Sequence, residues 1–186
     1  MGDTSTTTAP LLTAAELERL SFPDRHVELV RGRLVVREPP GTWHGRIAAR
    51  LAVRVGVHVE RQGLGDVYGQ DTGFKIRADP DTVRAPDLAF VRRASVHRVG
   101  RRGYAAVAPD LVAEIVSADD RPGEVLAKVG DWLDAGTLVV WVIDPDRLEA
   151  RIYRRDGSLT MLDRDGALAA EEVLPGFRCP LGELLS

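Results

Sequence analysis

The chain has 186 residues, the size of one domain with a real core, and its 44% hydrophobic and 28% charged content is that of an ordinary soluble globular protein. A net charge of -3 argues against bulk, non-specific nucleic-acid binding. The single cysteine, Cys179, excludes an intramolecular disulfide framework and fits a reducing compartment. No apolar run is long enough to cross a membrane and the N-terminus lacks a signal peptide's features, so no membrane partner and a cytoplasmic location are expected.

Residues 1–10 are Ser/Thr-rich and predict a disordered tail ahead of a single domain over residues 11–186. Thr13 followed by Glu16 predicts a capping box on a short helix reaching about Leu20. Val27–Val36 reads as two strands turning at Arg31-Gly32. From His44 to about Arg61 a helix is expected, because Ile47, Leu51, Val55 and Val59 recur on one face and Arg46, Arg50 and Arg54 on another. Val67 to Ile76 reads as one strand bent at Gly69 and Gly73, and Ala78–Asp81 as a turn.

Ala85–Val91 is an apolar run interrupted by Asp87. The loop after it carries Arg92, Arg93, Arg98, Arg101 and Arg102 and no acid, which suits either a solvated surface or phosphate contacts. Pro109–Ser117 is a near-continuous apolar run, the signature of a strand buried on both faces, with Glu114 in its middle. A helix follows from Asp119-Asp120 to Gly136, with Pro122 in its first turn. Val125, Val129, Trp132 and Leu133 form its buried stripe, with Lys128 on the flank. Leu138–Ile143 is another buried strand, residues 151–153 and 159–162 pair as a hairpin across Asp156-Gly157, and Leu174 to Leu185 is a short packed tail.

An unpaired carboxylate inside a sheet costs several kcal/mol, so Glu114 is neutralised, paired with a cation or bound to a metal. Asp87 and Glu114, carried by two apolar strands, suit a divalent cation with hard oxygen ligands; the competing readings are an ion pair with Arg and a turn-capping Asp87. In a chain that uses Arg for positive charge, the only lysines are Lys75 and Lys128. Lys75 alternates with Phe74 and Ile76 and is expected to face solvent. Lys128 faces either the carboxylates or an exposed i,i+4 pair with Glu124.

From His44 onward the order is helix, three strands, helix, strand. With the stretches Glu28–Leu34, His44, Arg84–Asp87, Pro109–Ser117, Lys128, Gly136–Pro145 and Leu174–Leu185, this order resembles the PD-(D/E)XK nuclease superfamily. Closer still, the chain resembles the Uma-two family, whose members are described as putative restriction endonucleases. The resemblance implies an α/β restriction-endonuclease-like core with a mixed central sheet and β-hairpin additions at both ends. It implies hydrolysis of a DNA phosphodiester by a metal-activated water, with Asp87 and Glu114 holding Mg2+ (or Mn2+) beside the Ile115 carbonyl. The superfamily's lysine two positions after the second acid is Val116 here, and the resemblance assigns its role to Lys128. Glu28 and His44 match retained positions and stand as auxiliary residues: Glu28 to complete the metal shell or orient a water, His44 to meet a phosphate or act as general base. An outward Glu28 alternating with Val27 and Leu29 on a two-stranded ribbon and a helix-capping His44 stay equally open. A homodimer is implied as well. The alternative is a catalytically inactive nuclease fold that serves as a metal-dependent nucleic-acid-binding or protein-interaction module.

Overall fold

The structure, a computed structural model, describes residues 10–186 apart from Asp24 and Asp119. The expected disordered tail therefore lies, Pro10 aside, outside the described residues. The one-turn helix α1 (Ala14–Leu17) carries the expected Thr13–Glu16 capping box. The hairpin of β1 (His26–Val30) and β2 (Arg33–Arg37) turns at Arg31-Gly32, where φ is positive at both residues (49° and 74°), matching the twist of paired strands. Then come α2 (Thr42–Gln62), β3 (Gly65–Gly69), β4 (Phe74–Arg77), β5 (Thr82–Arg84), β6 (Leu88–Arg92) and the one-turn α3 (Arg93–Val96). The chain continues through β7 (Leu111–Ile115), α4 (Pro122–Ala135), β8 (Val139–Asp144), β9 (Glu149–Arg154) and β10 (Leu159–Leu162). It closes with β11 (Ala167–Ala170), β12 (Leu174–Pro180) and α5 (Leu181–Leu184).

The central sheet has six strands in the order β10-β9-β8-β7-β6-β3. It is mixed: β7 and β8 run parallel, joined by the α4 crossover, and the other neighbours are antiparallel. Within it, α2, then β3, β6 and β7, then α4 and β8 form the expected helix, three strands, helix, strand core. A four-stranded sheet, β2-β1-β5-β4, and the β11-β12 pair complete the fold.

Strand parity decides what each side of the central sheet meets. Leu111, Ala113 and Ile115 pack with Ile47, Leu51, Val55 and Val59 of α2, while Val112 packs with Val129 and Trp132 of α4. Glu114 shares the parity of Val112, so the strand delivers its carboxylate to the α4 side. Burial on both faces explains why β7 reads as an unbroken apolar run.

Three expectations need correction. Val67–Ile76 is two strands in different sheets, because the turn over residues 70–73 reverses the chain at Asp71, whose φ is +66°. Asp87 does not interrupt a strand; it stands just ahead of β6, where Pro86 has no N–H to extend a ladder. The C-terminal tail is a hairpin, β11 with β12, followed by α5, and its β11 arm was not legible as a strand because Ala167–Ala170 carries little β propensity.

Candidate active site

The antiparallel register of β6 and β7 pairs Leu88 with Ala113, which sets Asp87 beside the end of β7. There its carboxylate continues the ladder that the strand has dropped. Asp87 Oδ2 accepts from the Ile115 N–H at 2.7 Å, and Oδ1 accepts from the Gln70 side-chain amide at 3.0 Å. His44, in the first turn of α2, places Nε2 3.0 Å from the Ile115 carbonyl oxygen and 3.3 Å from Asp87 Oδ2. Burial favours the neutral ring, but the Asp87 and Ile115 oxygens outweigh it and raise the His44 pKa.

On the other side of the same strand, Glu114 Oε2 accepts from Lys128 Nζ at 3.1 Å and Oε1 from the Trp132 indole N–H at 2.8 Å. Lys128 and Trp132 are one helical turn apart on α4, so a single face of the helix supplies both donors. Burial raises the Glu114 pKa, Lys128 pulls it back, and the charges of Asp87 and Glu28 leave the balance above the ordinary value. Burial alone lowers the Lys128 pKa, but Glu114 and Glu28 outweigh it, so its ammonium titrates above the usual lysine value. The two shifts differ in their leading cause: burial lifts Glu114 and one ammonium does not fully offset it, whereas several carboxylates around that ammonium outweigh its own burial.

Beneath this layer lies a buried ion network. Glu28 is 0% exposed, and its Oε2 accepts from Arg84 Nη1 at 2.8 Å while Oε1 accepts from the Ala85 N–H at 3.2 Å. Arg84 also donates through Nε and Nη2 to Asp131 Oδ2 on α4, at 3.1 and 2.6 Å. Burial raises the Glu28 pKa, but Lys128, Arg84 and the Ala85 N–H more than reverse that and hold it below the usual range. Glu28 is thus neither an outward ribbon residue nor a lining residue; it anchors the Arg84–Asp87 loop.

Asp87, Glu114, Lys128 and His44 converge on one cleft of about 320 Å³, together with Gln70 and Arg37. The five loop arginines are not among its lining residues. Arg92 pairs instead with Asp110 at 2.6 Å, at the end of β6 remote from Asp87, and Arg93, Arg98, Arg101 and Arg102 are exposed. Lys75 is bonded to Asp81 at 2.7 Å rather than simply facing solvent, because the β4–β5 turn folds that acid back onto it. Arg37 takes both Asp120 (2.7 Å) and Glu124 (3.0 Å), which removes Glu124 from Lys128. Trp132 entered the sequence reading only as part of an apolar stripe. Its position four residues after Lys128 was the available signal that it also meets Glu114.

Replacing Trp132 by Phe keeps an aromatic ring in the core but leaves a small gap and withdraws the indole donor from a buried carboxylate. We expect about 1–3 kcal/mol of lost stability by denaturant unfolding. We also expect about a 10–100-fold fall in any activity that depends on Glu114, measured with the folded variant.

Among the described residues, no group of three or more His, Cys, Asp or Glu side chains converges as a ready-made metal cluster. What the cleft and its floor hold is a surplus of carboxylate. Glu28, Asp87, Glu114, Asp120, Glu124 and Asp131 outnumber Arg37, Arg84 and Lys128. Oxygen donors with uncompensated charge fit a small hard cation that keeps several of its waters.

A family described as "Uma2: Putative restriction endonuclease" matches residues 14–182. The fold is also similar to that of a crystal structure titled as a putative nuclease belonging to DUF820 from Anabaena variabilis. The TM-score is 0.79 at 21% sequence identity, over 94% of this chain and 97% of that one. No protein of the curated set matches the chain. No helix among the described residues is long and apolar enough to cross a membrane.

Proposed function

The chain belongs to the Uma2 family of putative restriction endonucleases, and from that premise we propose that it is a magnesium- or manganese-dependent endonuclease acting on DNA. The observation that carries the reading is the meeting of Asp87 and Glu114 at one cleft, with the Lys128 ammonium 3.1 Å from the second carboxylate. The cation would be held by Asp87, Glu114 and the Ile115 carbonyl; when bound, it supplies an acidified water and offsets charge on the phosphate.

The side chains divide the remaining work. Lys128 stays protonated because of its carboxylate neighbours, so it acts as a fixed positive charge toward a phosphate oxygen rather than as a general base. Its place on α4 meets the requirement left open by Val116, whose position two residues after Glu114 holds no cation. His44 holds the Ile115 carbonyl in place, and Glu28 with Arg84 holds the loop that ends in Asp87.

Purified protein is expected to cut duplex DNA in the presence of Mg2+ or Mn2+, to stop on addition of EDTA, and to resume when the cation is restored. Cleavage that survives EDTA would overturn the metal-dependent reading. Metal-dependent DNA binding without hydrolysis, across supercoiled, linear and single-stranded substrates, would instead support the catalytically inactive binding module. Pairing of two such sites in a homodimer belongs to the same proposal, and light scattering that returns a monomer at working concentration counts against it.

A further inference from the structure

We propose that Gln70 is a positioning residue for this site, holding the Asp87 carboxylate directly and the Ile115 carbonyl through His44. The inference rests on the reading of Asp87 as a cation ligand. Gln70 stands in the turn between β3 and β4, where the chain passes from the central sheet to the four-stranded one, and its side chain lines the cleft.

Its orientation follows from its partners. An ionised carboxylate only accepts hydrogen bonds, so the Gln70 atom 3.0 Å from Asp87 Oδ1 is the amide nitrogen. The same nitrogen lies 3.4 Å from His44 Nδ1. Facing an N–H, Nδ1 is the acceptor, which leaves the ring proton of neutral His44 on Nε2. Nε2 is the atom 3.0 Å from the Ile115 carbonyl oxygen, to which it then donates. The ring of contacts closes when the Ile115 N–H donates to Asp87 Oδ2 at 2.7 Å. Gln70, Asp87, Ile115 and His44 thus form a closed circuit in which each group fixes the direction of the next. A carboxylate held at both oxygens keeps only its remaining lone pairs for a ligand, and so is pre-organised. The circuit was invisible in the sequence because Gln70 fell inside what read as one strand.

Nitrogen NMR of selectively labelled histidine reads the tautomer in the metal-free protein, at a pH where the ring is neutral. The wild type is expected to show His44 with a bare Nδ1 and a protonated Nε2. Gln70→Ala is expected to lose that preference and to bind manganese about 10–100-fold more weakly by calorimetry. Gln70→Met keeps the length but has no N–H to donate to Asp87 or His44, and should weaken manganese binding about as much. Thermal unfolding of both variants separates positioning from structure, since a merely structural glutamine would move Tm without moving the tautomer. A wild-type Nδ1–H, or a Gln70→Ala variant with wild-type manganese affinity, overturns the inference. Wild-type protein that binds manganese yet cuts no DNA overturns the nuclease reading instead, while the tautomer and affinity still decide the role of Gln70.

Discussion

Asp87→Ala is expected to abolish metal-dependent cleavage, with at least about a 10³-fold fall in kcat, while the protein stays folded. The size of the effect comes from the number of roles held by one carboxylate. It continues the β6–β7 ladder by accepting from Ile115, it anchors Gln70, it lies beside His44, and it is one of the acids that line the cleft. Loss of the first two hydrogen bonds leaves donors that water in the cleft can partly satisfy, so the expected stability loss is about 1–3 kcal/mol. That separates the catalytic effect from unfolding. Asp87→Asn is not a gentler control. Whichever way its amide turns, an NH2 group faces either the Ile115 N–H or the Gln70 amide, where the native carboxylate accepts on both sides. Cleavage assays with manganese calorimetry and thermal unfolding on the same preparations check the prediction. An Asp87→Ala protein that cuts with wild-type kcat places the chemistry elsewhere on the molecule, or in a contaminant.

The sequence made part of this site legible for a definite reason. Glu114 is the one acid in an otherwise apolar strand, and parity within β7 carries it to the face that α4 covers. Lys128 lies on the flank of the α4 stripe, so helical periodicity turns it only partly inward, and the structure finds it against Glu114. What local pattern could not supply was the choice between partners. Glu124 at i−4 was a valid local partner for Lys128, but Arg37, brought in from β2, takes Glu124 instead.

Glu28 illustrates the same limit. Alternation with Val27 and Leu29 reads as an exposed position on a two-stranded ribbon, whereas β5 pairs beside β1 and brings Arg84 over it. A one-strand reading of residues 67–76 hid Gln70, although Gly69, Asp71 and Gly73 were the signals of a turn. For the arginines of the loop after β6 the sequence left two readings, a solvated surface and phosphate contacts. These arginines cluster in sequence, but the loop leaves the end of β6 remote from Asp87, so density of charge along the chain did not become charge at the cleft.

Arg84→Ala should be among the most damaging single substitutions for stability, at about 3–5 kcal/mol, because it removes one partner of a buried ion network and leaves the others. Glu28, 0% exposed, would keep only the Ala85 N–H and the field of Lys128, and Asp131 would lose both bonds from the guanidinium. At roughly 2–4 °C per kcal/mol for a chain of this size, Tm should fall by roughly 6–20 °C. Arg84→Lys should recover only part of this, since an ammonium keeps the charge but not the planar fork that reaches Glu28 and Asp131 together.

The pH dependence gives the sign an independent check. The native Glu28 pKa lies below its unfolded value, so in acid the unfolded chain binds the extra proton. The contribution of the ionised Glu28 is therefore complete above the unfolded carboxylate range and disappears as pH falls through the lowered native value. The stability gap between wild type and Glu28→Gln, measured by denaturant unfolding, should accordingly close on acidification; a gap that does not change with pH would show that the charge of Glu28 is not what the network stabilises. The same network bears on the cleft. Arg84 ties α4, at Asp131 and so three residues from Lys128, to β1 and to the loop that ends in Asp87. Cutting that tie frees the lysine and the first acid to move relative to each other. Activity of Arg84→Ala at temperatures far below its Tm should then fall further than the folded fraction does, and activity that merely tracks the folded fraction would confine Arg84 to stability alone.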